Sequence, residues 1–338
     1  MKLNIPICLP ICLLTLTASL ALAQSSGTLE HIRVHGESLE GNLIGDPTTR
    51  DIEIYLPPGY NDDTSRRYPV VYLLHGYGGE ADTWIRERAN LPGSADRDIA
   101  AGIIKPMILV VPDAYNKYGG SMYSASIGTG NWERYITHDL VNYIDSHYRT
   151  IATRESRGLG GHSMGGYGAW RIGMKYPEMF AALYPMSACC LMNSPRPRPA
   201  DAPAPPQREM RRNERGVVDV QSGEAAAWSP NPQNPPLYFD RPVVDNELRP
   251  EIAAKWIANS PLAMIDQYYY NLIQYDAIAT EVGLDDTLLN SVRQMEKSLE
   301  RLGIEHSYSE YDGDHTNHVP QRIEEHVLPF FSEHLKFQ

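Results

Sequence analysis

Gly160-Gly161-His162-Ser163-Met164-Gly165-Gly166 is the stretch on which the reading of this chain turns. Within it, Gly161-x-Ser163-x-Gly165 has the spacing of a nucleophile elbow, a sharp strand-to-helix turn that lifts one serine hydroxyl above a sheet. Glycines flank the serine because the turn is strained and side chains beside it would clash. Ser156 to Gly161 can enter the turn as a buried strand, although its glycines make it weak on propensity. After the serine, Tyr167, Ala169, Trp170, Ile172, Gly173 and Met174 read as a small-residue helix that stops near Tyr176-Pro177. The competing reading is a glycine-rich loop with an incidental serine, and this context weighs against it.

Outward from the elbow, the chain alternates strand and helix. Leu29 to Leu39 and Asp51 to Leu56 alternate apolar and polar residues, as half-buried strands do. Tyr68 to Leu74 and Pro106 to Pro112 are continuous apolar runs suited to burial on both faces. Helical periodicity spans Trp132 to Tyr148, with Tyr135, Ile136, Leu140, Tyr143 and Ile144 on one side. Phe180 to Met186 reads as the next strand. Later come a helix over Glu247 to Ile257, a strand over Leu272 to Thr280, a helix over Thr287 to Leu302, a strand over Ile304 to Tyr311 and a closing helix over Val319 to Leu335. The expected class is α/β, a mostly parallel central sheet with helices on both faces.

Between the strand after the elbow and the helix at Glu247 the composition shifts. Ser194 to Pro206 holds six prolines, and six arginines fall between Arg196 and Arg215. Proline-rich segments resist helix and sheet alike, so residues 193–246 are expected to form an insertion or lid at the carboxyl end of the sheet, where ligands enter.

At the N-terminus, Lys2 and the apolar Ile5 to Leu20, closed by Ala21-Leu22-Ala23, have the pattern of a secretory signal peptide. The expected division is a leader over 1–23, cleaved after Ala23, and a single catalytic domain over 24–338, secreted or periplasmic. Pro6 and Pro10 interrupt the apolar run, so no stable membrane insertion is expected. The net charge of −12 argues against nucleic acid as a partner. Cys8 and Cys12 leave with the leader, and the remaining pair, Cys189-Cys190, is expected as two buried thiols. No disulfide framework is implied.

A serine hydroxyl needs a base, a group that orients the base and donors for the oxyanion. In the chain order of the elbow folds, acid and then histidine follow the serine. His315 sits in the turn after the last strand and is the expected base, with His318 next in line and His306, His326 and His334 expected on the surface. Gly283-Leu284-Asp285-Asp286 occupies the place for the acid. Either aspartate can instead cap the helix that follows, and Glu281, Asp276, Asp312 and Asp314 are further candidates. The oxyanion donors are expected to be the amides of Met164 and of Tyr77, in the loop His75-Gly76-Tyr77-Gly78-Gly79. His75 comes too early for a base and suits ordering of that loop. With Gly76, His162 and Trp132 it is also expected to border the substrate. Tyr268, Tyr269, Tyr270, Trp228 and Trp256 are aromatic candidates for an acyl or sugar site. No metal and no cofactor are called for.

These residues together resemble the esterase-D-like branch of the α/β-hydrolase superfamily. That branch includes feruloyl and acetylxylan esterases, enterochelin esterases, S-formylglutathione hydrolases and mycolyltransferases. The similar stretches are Tyr55-Leu-Pro-Pro-Gly-Tyr60, Tyr72-Leu-Leu-His-Gly76, Val111-Pro-Asp113, Asp139 to Thr150, Gly161 to Gly166, Gly283 to Asp286 and Tyr311 to His315. The resemblance makes Ser163 the nucleophile, His315 the base and Asp286, the Asp of Gly-x-x-Asp, the acid. It implies a serine carboxylesterase acting on a small-molecule or polysaccharide-linked ester, feruloyl or acetyl esters of carbohydrates first. A siderophore esterase, an acyltransferase and a non-catalytic binding protein on the same fold are the alternatives. Two departures stand out: Gly158 and Gly160 replace larger residues before the elbow, and the Pro/Arg-rich insertion is long.

Overall fold

The computed structural model describes residues 26–86, 89–199, 211–213 and 216–338. The proposed leader and part of the Pro/Arg-rich segment lie outside the described residues. Eight strands form one sheet: β1 (Thr28–His35), β2 (Thr49–Leu56), β3 (Val70–Leu74), β4 (Ile108–Pro112), β5 (Arg157–His162), β6 (Ala182–Met186), β7 (Ala277–Gly283) and β8 (Ser307–Tyr311). Their order is β1-β2-β4-β3-β5-β6-β7-β8. β1 and β2 join antiparallel, and every pairing from β4 to β8 is parallel.

The apolar runs serve two layers because successive strand residues face opposite sides. Val70, Tyr72 and Leu74 of β3 enter one core, and Val71 and Leu73 enter the other. On the first face pack α2 (132–147), α3 (Met164–Lys175) and α6 (Leu289–Leu302); on the second pack α1 (Leu91–Ala100) and α7 (319–334). Glu133 of α2 is buried and takes Arg171 Nε at 2.7 Å and the Lys175 ammonium, both from α3, which ties the elbow helix to its neighbour.

Three sequence expectations shift. The strand expected over Leu272 to Thr280 begins at Ala277 and runs to Gly283. Tyr269–Leu272 is instead a short helical turn, docked on α3 through Asn271 Nδ2 to Met174 O (2.6 Å) and Tyr275 Oη to Gly173 O (2.9 Å). Within the insertion, Val220–Trp228 forms a helix, α4, followed by α5 (Pro250–Ala258). The run Ala225-Ala226-Ala227-Trp228 is buried, and Trp228 meets Trp256 edge-on at 5.5 Å. Good helix formers thus outweigh the surrounding prolines.

The glycines before the elbow also have a reason. A Cβ at Gly158 would sit 2.5 Å from the Phe331 ring, and one at Gly160 3.3 Å away. The ring of α7 fills the space where larger strand residues would stand.

Candidate active site

β5 ends at His162, and Ser163 turns the chain into α3 with φ 58° and ψ −113°. A non-glycine residue holds such a conformation only when its surroundings enforce it. Here the enforcement is close backbone packing. A Cβ at Gly165 would lie 1.9 Å from Leu74 O, and one at Gly161 2.6 Å from Gly165. Ser163 N–H donates to Met186 O (3.0 Å), and its own carbonyl accepts from Cys189 N–H (3.1 Å).

The loop after β8 brings His315 over the sheet. Its Nε2 lies 2.9 Å from Ser163 Oγ, and its Nδ1 lies 2.8 Å from Asp286 Oδ2. Asp286 is buried and Asp285 is exposed, which separates two neighbours that the sequence left as alternatives. Burial pushes the Asp286 carboxyl up. The hydrogen bonds from His315 and from Leu288 N–H, with the His315 charge, bring it below the ordinary carboxylate range. The bond of Asp286 Oδ1 to Leu288 N–H (2.9 Å) also closes the turn before α6, whose N-cap residue is Leu288, so neither aspartate caps that helix through its side chain.

The other candidates are engaged elsewhere. Glu281 pairs with Arg322 and accepts from Tyr184 Oη. Asp314 Oδ1 accepts from Thr316 and Asn317 N–H, and Arg154 takes Asp276. His318 Nδ1 meets Gln321, and His306 Nδ1 meets Ile304 O. No group of three or more metal-ligating side chains occurs among the described residues.

Met164 and Tyr77 flank the serine, and neither N–H meets an acceptor among the described residues. Their side chains converge on Gly120, where a Cβ would fall 2.5 Å from Met164 Sδ and 2.7 Å from the Tyr77 ring. Tyr77 Oη donates to Asp219 O at 2.8 Å, which ties this loop to the start of α4. Gly76 adjoins the serine: a Cβ there would stand 3.4 Å from Ser163 Cβ.

Two expectations are corrected. His75 is fully buried, accepts Ala114 N–H at Nε2 (2.8 Å) and donates from Nδ1 to Gly76 O (2.8 Å). Burial lowers its pKa, and this neutral ring orders the loop without facing substrate. Trp132 is also in the core, with Nε1 on Thr129 O (2.8 Å) and the Arg50 guanidinium over its ring. His162 is buried with Nε2 donating to His315 O (2.7 Å), so it supports the histidine loop. Burial first, then the nearby His315, pushes its pKa down to about 4.

Sequence reading missed the contribution of α4. Glu224, half-buried beside the free thiols of Cys189 and Cys190, has a carboxyl oxygen 3.4 Å from Cys190 Sγ. Burial raises its pKa to about 7. Nothing local in the sequence singles Glu224 out, because only the tertiary path of the insertion brings it there.

Residues 47–319 match the model of the Esterase family, described as "Putative esterase". An esterase of Mycobacterium tuberculosis is 34% identical over 132 residues, 39% of this chain and 27% of its own length. An endo-1,4-beta-xylanase/feruloyl esterase of Xylanibacter ruminicola is 36% identical over 134 residues, 38% of this chain and 18% of its own. The chain thus spans under a third of the length of either relative. A ferulic acid esterase structure superposes with TM-score 0.65 at 22% identity, covering 91% of this chain and 98% of that one, which shows a shared α/β-hydrolase fold.

Proposed function

Because the chain belongs to the Esterase family, we propose that it is a serine carboxylesterase with Ser163, His315 and Asp286 as its triad. The observation that carries this reading is the unbroken chain of contacts, Asp286 Oδ2 to His315 Nδ1 at 2.8 Å and His315 Nε2 to Ser163 Oγ at 2.9 Å. Ser163 Oγ attacks the ester carbonyl while His315 Nε2 takes its proton. The Asp286 carboxylate, ionised at neutral pH, fixes the Nδ1–H tautomer and stabilises the imidazolium. The developing oxyanion lies on the Tyr77 and Met164 amides, at the N-terminus of α3, where the helix dipole adds to the two donors. His315 then gives its proton to the departing alcohol and next deprotonates the water that frees the acid.

Phenolic or acetyl esters of carbohydrates are the proposed substrates. The feruloyl esterase names among the relatives and the leader-like residues 1–23, which suit an exported enzyme meeting polymers, support this choice. Residues 193–246 serve as a lid in this proposal, since α4 meets the Tyr77 loop and Glu224 reaches the loop beside Ser163.

The test is product release by the full chain from methyl ferulate and from a short-chain aryl acetate, with Ser163→Ala as the blank. Serine-dependent release from either ester is expected, with labelling of Ser163 by a fluorophosphonate. Absence of both overturns the assignment.

A further inference from the structure

A cavity of about 420 Å³ opens in the insertion, lined among others by Arg196, Arg198, Arg241, Asn193, Gln221 and Trp256. The chain holds 42 acidic and 30 basic residues, yet among the described residues this lining has three guanidinium groups and no carboxylate, Asp219 pairing with Arg241 from outside the lining. Its walls are fixed. Asn246, between Val243–Val244 and Glu247–Leu248, accepts Arg198 N–H at 2.7 Å and donates to Arg198 O at 3.1 Å. Arg241 is held by Asp219 Oδ2 (2.9 Å), Ser222 Oγ (2.7 Å) and Gln221 Oε1 (3.2 Å). Trp256 is anchored by Nε1 on Ser229 Oγ (2.9 Å). Arg196 has no ion-pair partner among the described residues.

The wall of the cavity is linked to the ester site through α4 and the loop after β6. Gln221, in its wall, and Glu224, which meets Cys190, are three apart on α4, so they share a face about 5 Å apart along the axis. Cys189, adjacent to Cys190, is bonded through its N–H to Ser163 O.

We propose that this cavity is a subsite for a uronic acid unit on the carbohydrate side of the ester, an inference that rests on the esterase reading. A guanidinium fork matches a carboxylate in two parallel hydrogen bonds. Side-chain amides of Asn193 and Gln221 suit sugar hydroxyls, and an indole offers an apolar wall to a pyranose face. A volume in the usual range for small-molecule sites exceeds what a lone inorganic anion fills.

Binding is measured with full-length Ser163→Ala, so that no substrate is consumed. The probes are a glucuronic acid-substituted xylo-oligosaccharide, its neutral counterpart and inorganic phosphate. The acidic oligosaccharide is expected to bind at least about 10-fold more tightly than the neutral one, with an advantage that shrinks as salt rises. Arg196→Gln should abolish that advantage and Arg196→Lys should keep part of it. Equal affinity for the two oligosaccharides, or an advantage untouched by Arg196→Gln, overturns the subsite. Phosphate displacing the acidic oligosaccharide at similar concentrations overturns the carbohydrate assignment. Aryl acetate turnover by the wild type reports on the esterase reading alone, so the two failures are told apart.

Discussion

Asp286 binds His315 with one carboxylate oxygen and the backbone of Leu288 with the other, at 2.8 and 2.9 Å. Asp286→Asn should therefore preserve the turn into α6 but present the wrong partner to the imidazole. A fall in kcat of about 10³- to 10⁴-fold on an aryl acetate is expected. Asp285 is exposed, and Asp285→Asn should stay within about 2-fold. Equal small losses in both variants would move the acid elsewhere.

His162 is buried and donates from Nε2 to His315 O, which places it to position the histidine loop. His162→Phe keeps a ring but loses the donor to His315 O. Its net worth of about 1 kcal/mol predicts roughly a 5-fold lower kcat with KM unchanged. A change confined to KM in steady-state kinetics would contradict this positioning role.

Glu224 makes stability depend on pH. Its folded pKa is raised to about 7 from 4.5, so between these values the folded state holds a proton that the unfolded chain has released. Stability falls as pH rises through that window, by about 3 kcal/mol in all. His162, lowered to about 4 from 6.5, has the opposite slope and costs stability as pH falls between those values. Glu224→Gln should match the wild type in melting temperature near pH 4.5 and exceed it at pH 8. Parallel melting curves across that range would refute the assignment.

Phe331 and Gly158 are a matched pair. Gly158→Ala drives a methyl to 2.5 Å from the ring and should destabilise by about 1–3 kcal/mol. Phe331→Ala should cost about 3–5 kcal/mol. In the double variant Gly158→Ala/Phe331→Leu the losses should fall well short of additive in denaturant unfolding. Strict additivity would mean the two do not share that space.

The fold was readable around Ser163 because each strand there is a short apolar run bounded by turn residues. Ser163, His315 and Asp286 lie far apart in sequence, yet chain order put the serine after β5, the acid after β7 and the histidine after β8, all at one end of the sheet. What the sequence concealed depends on tertiary contact. The aromatic run from Tyr268 looked like the start of a strand, yet its Asn271 and Tyr275 cap carbonyls of α3. The prolines and arginines hid α4. His75 and Trp132 looked like substrate residues because polarity and size do not reveal burial. Between Asp285 and Asp286 the residues alone left the choice open, and only the Gly-x-x-Asp of the family resemblance pointed to Asp286, because composition does not encode side-chain direction.

The contact between position 165 and the carbonyl of Leu74 bears on how such a protein can diversify. Any atom added at Gly165 must displace β3, every residue of which is buried. The ground next to the reactive serine is thus closed to change by inheritance. New selectivity has to be acquired in the connections that reach over it, and α4 and α5, which lie outside the sheet's register, are where a lineage can experiment without disturbing Ser163.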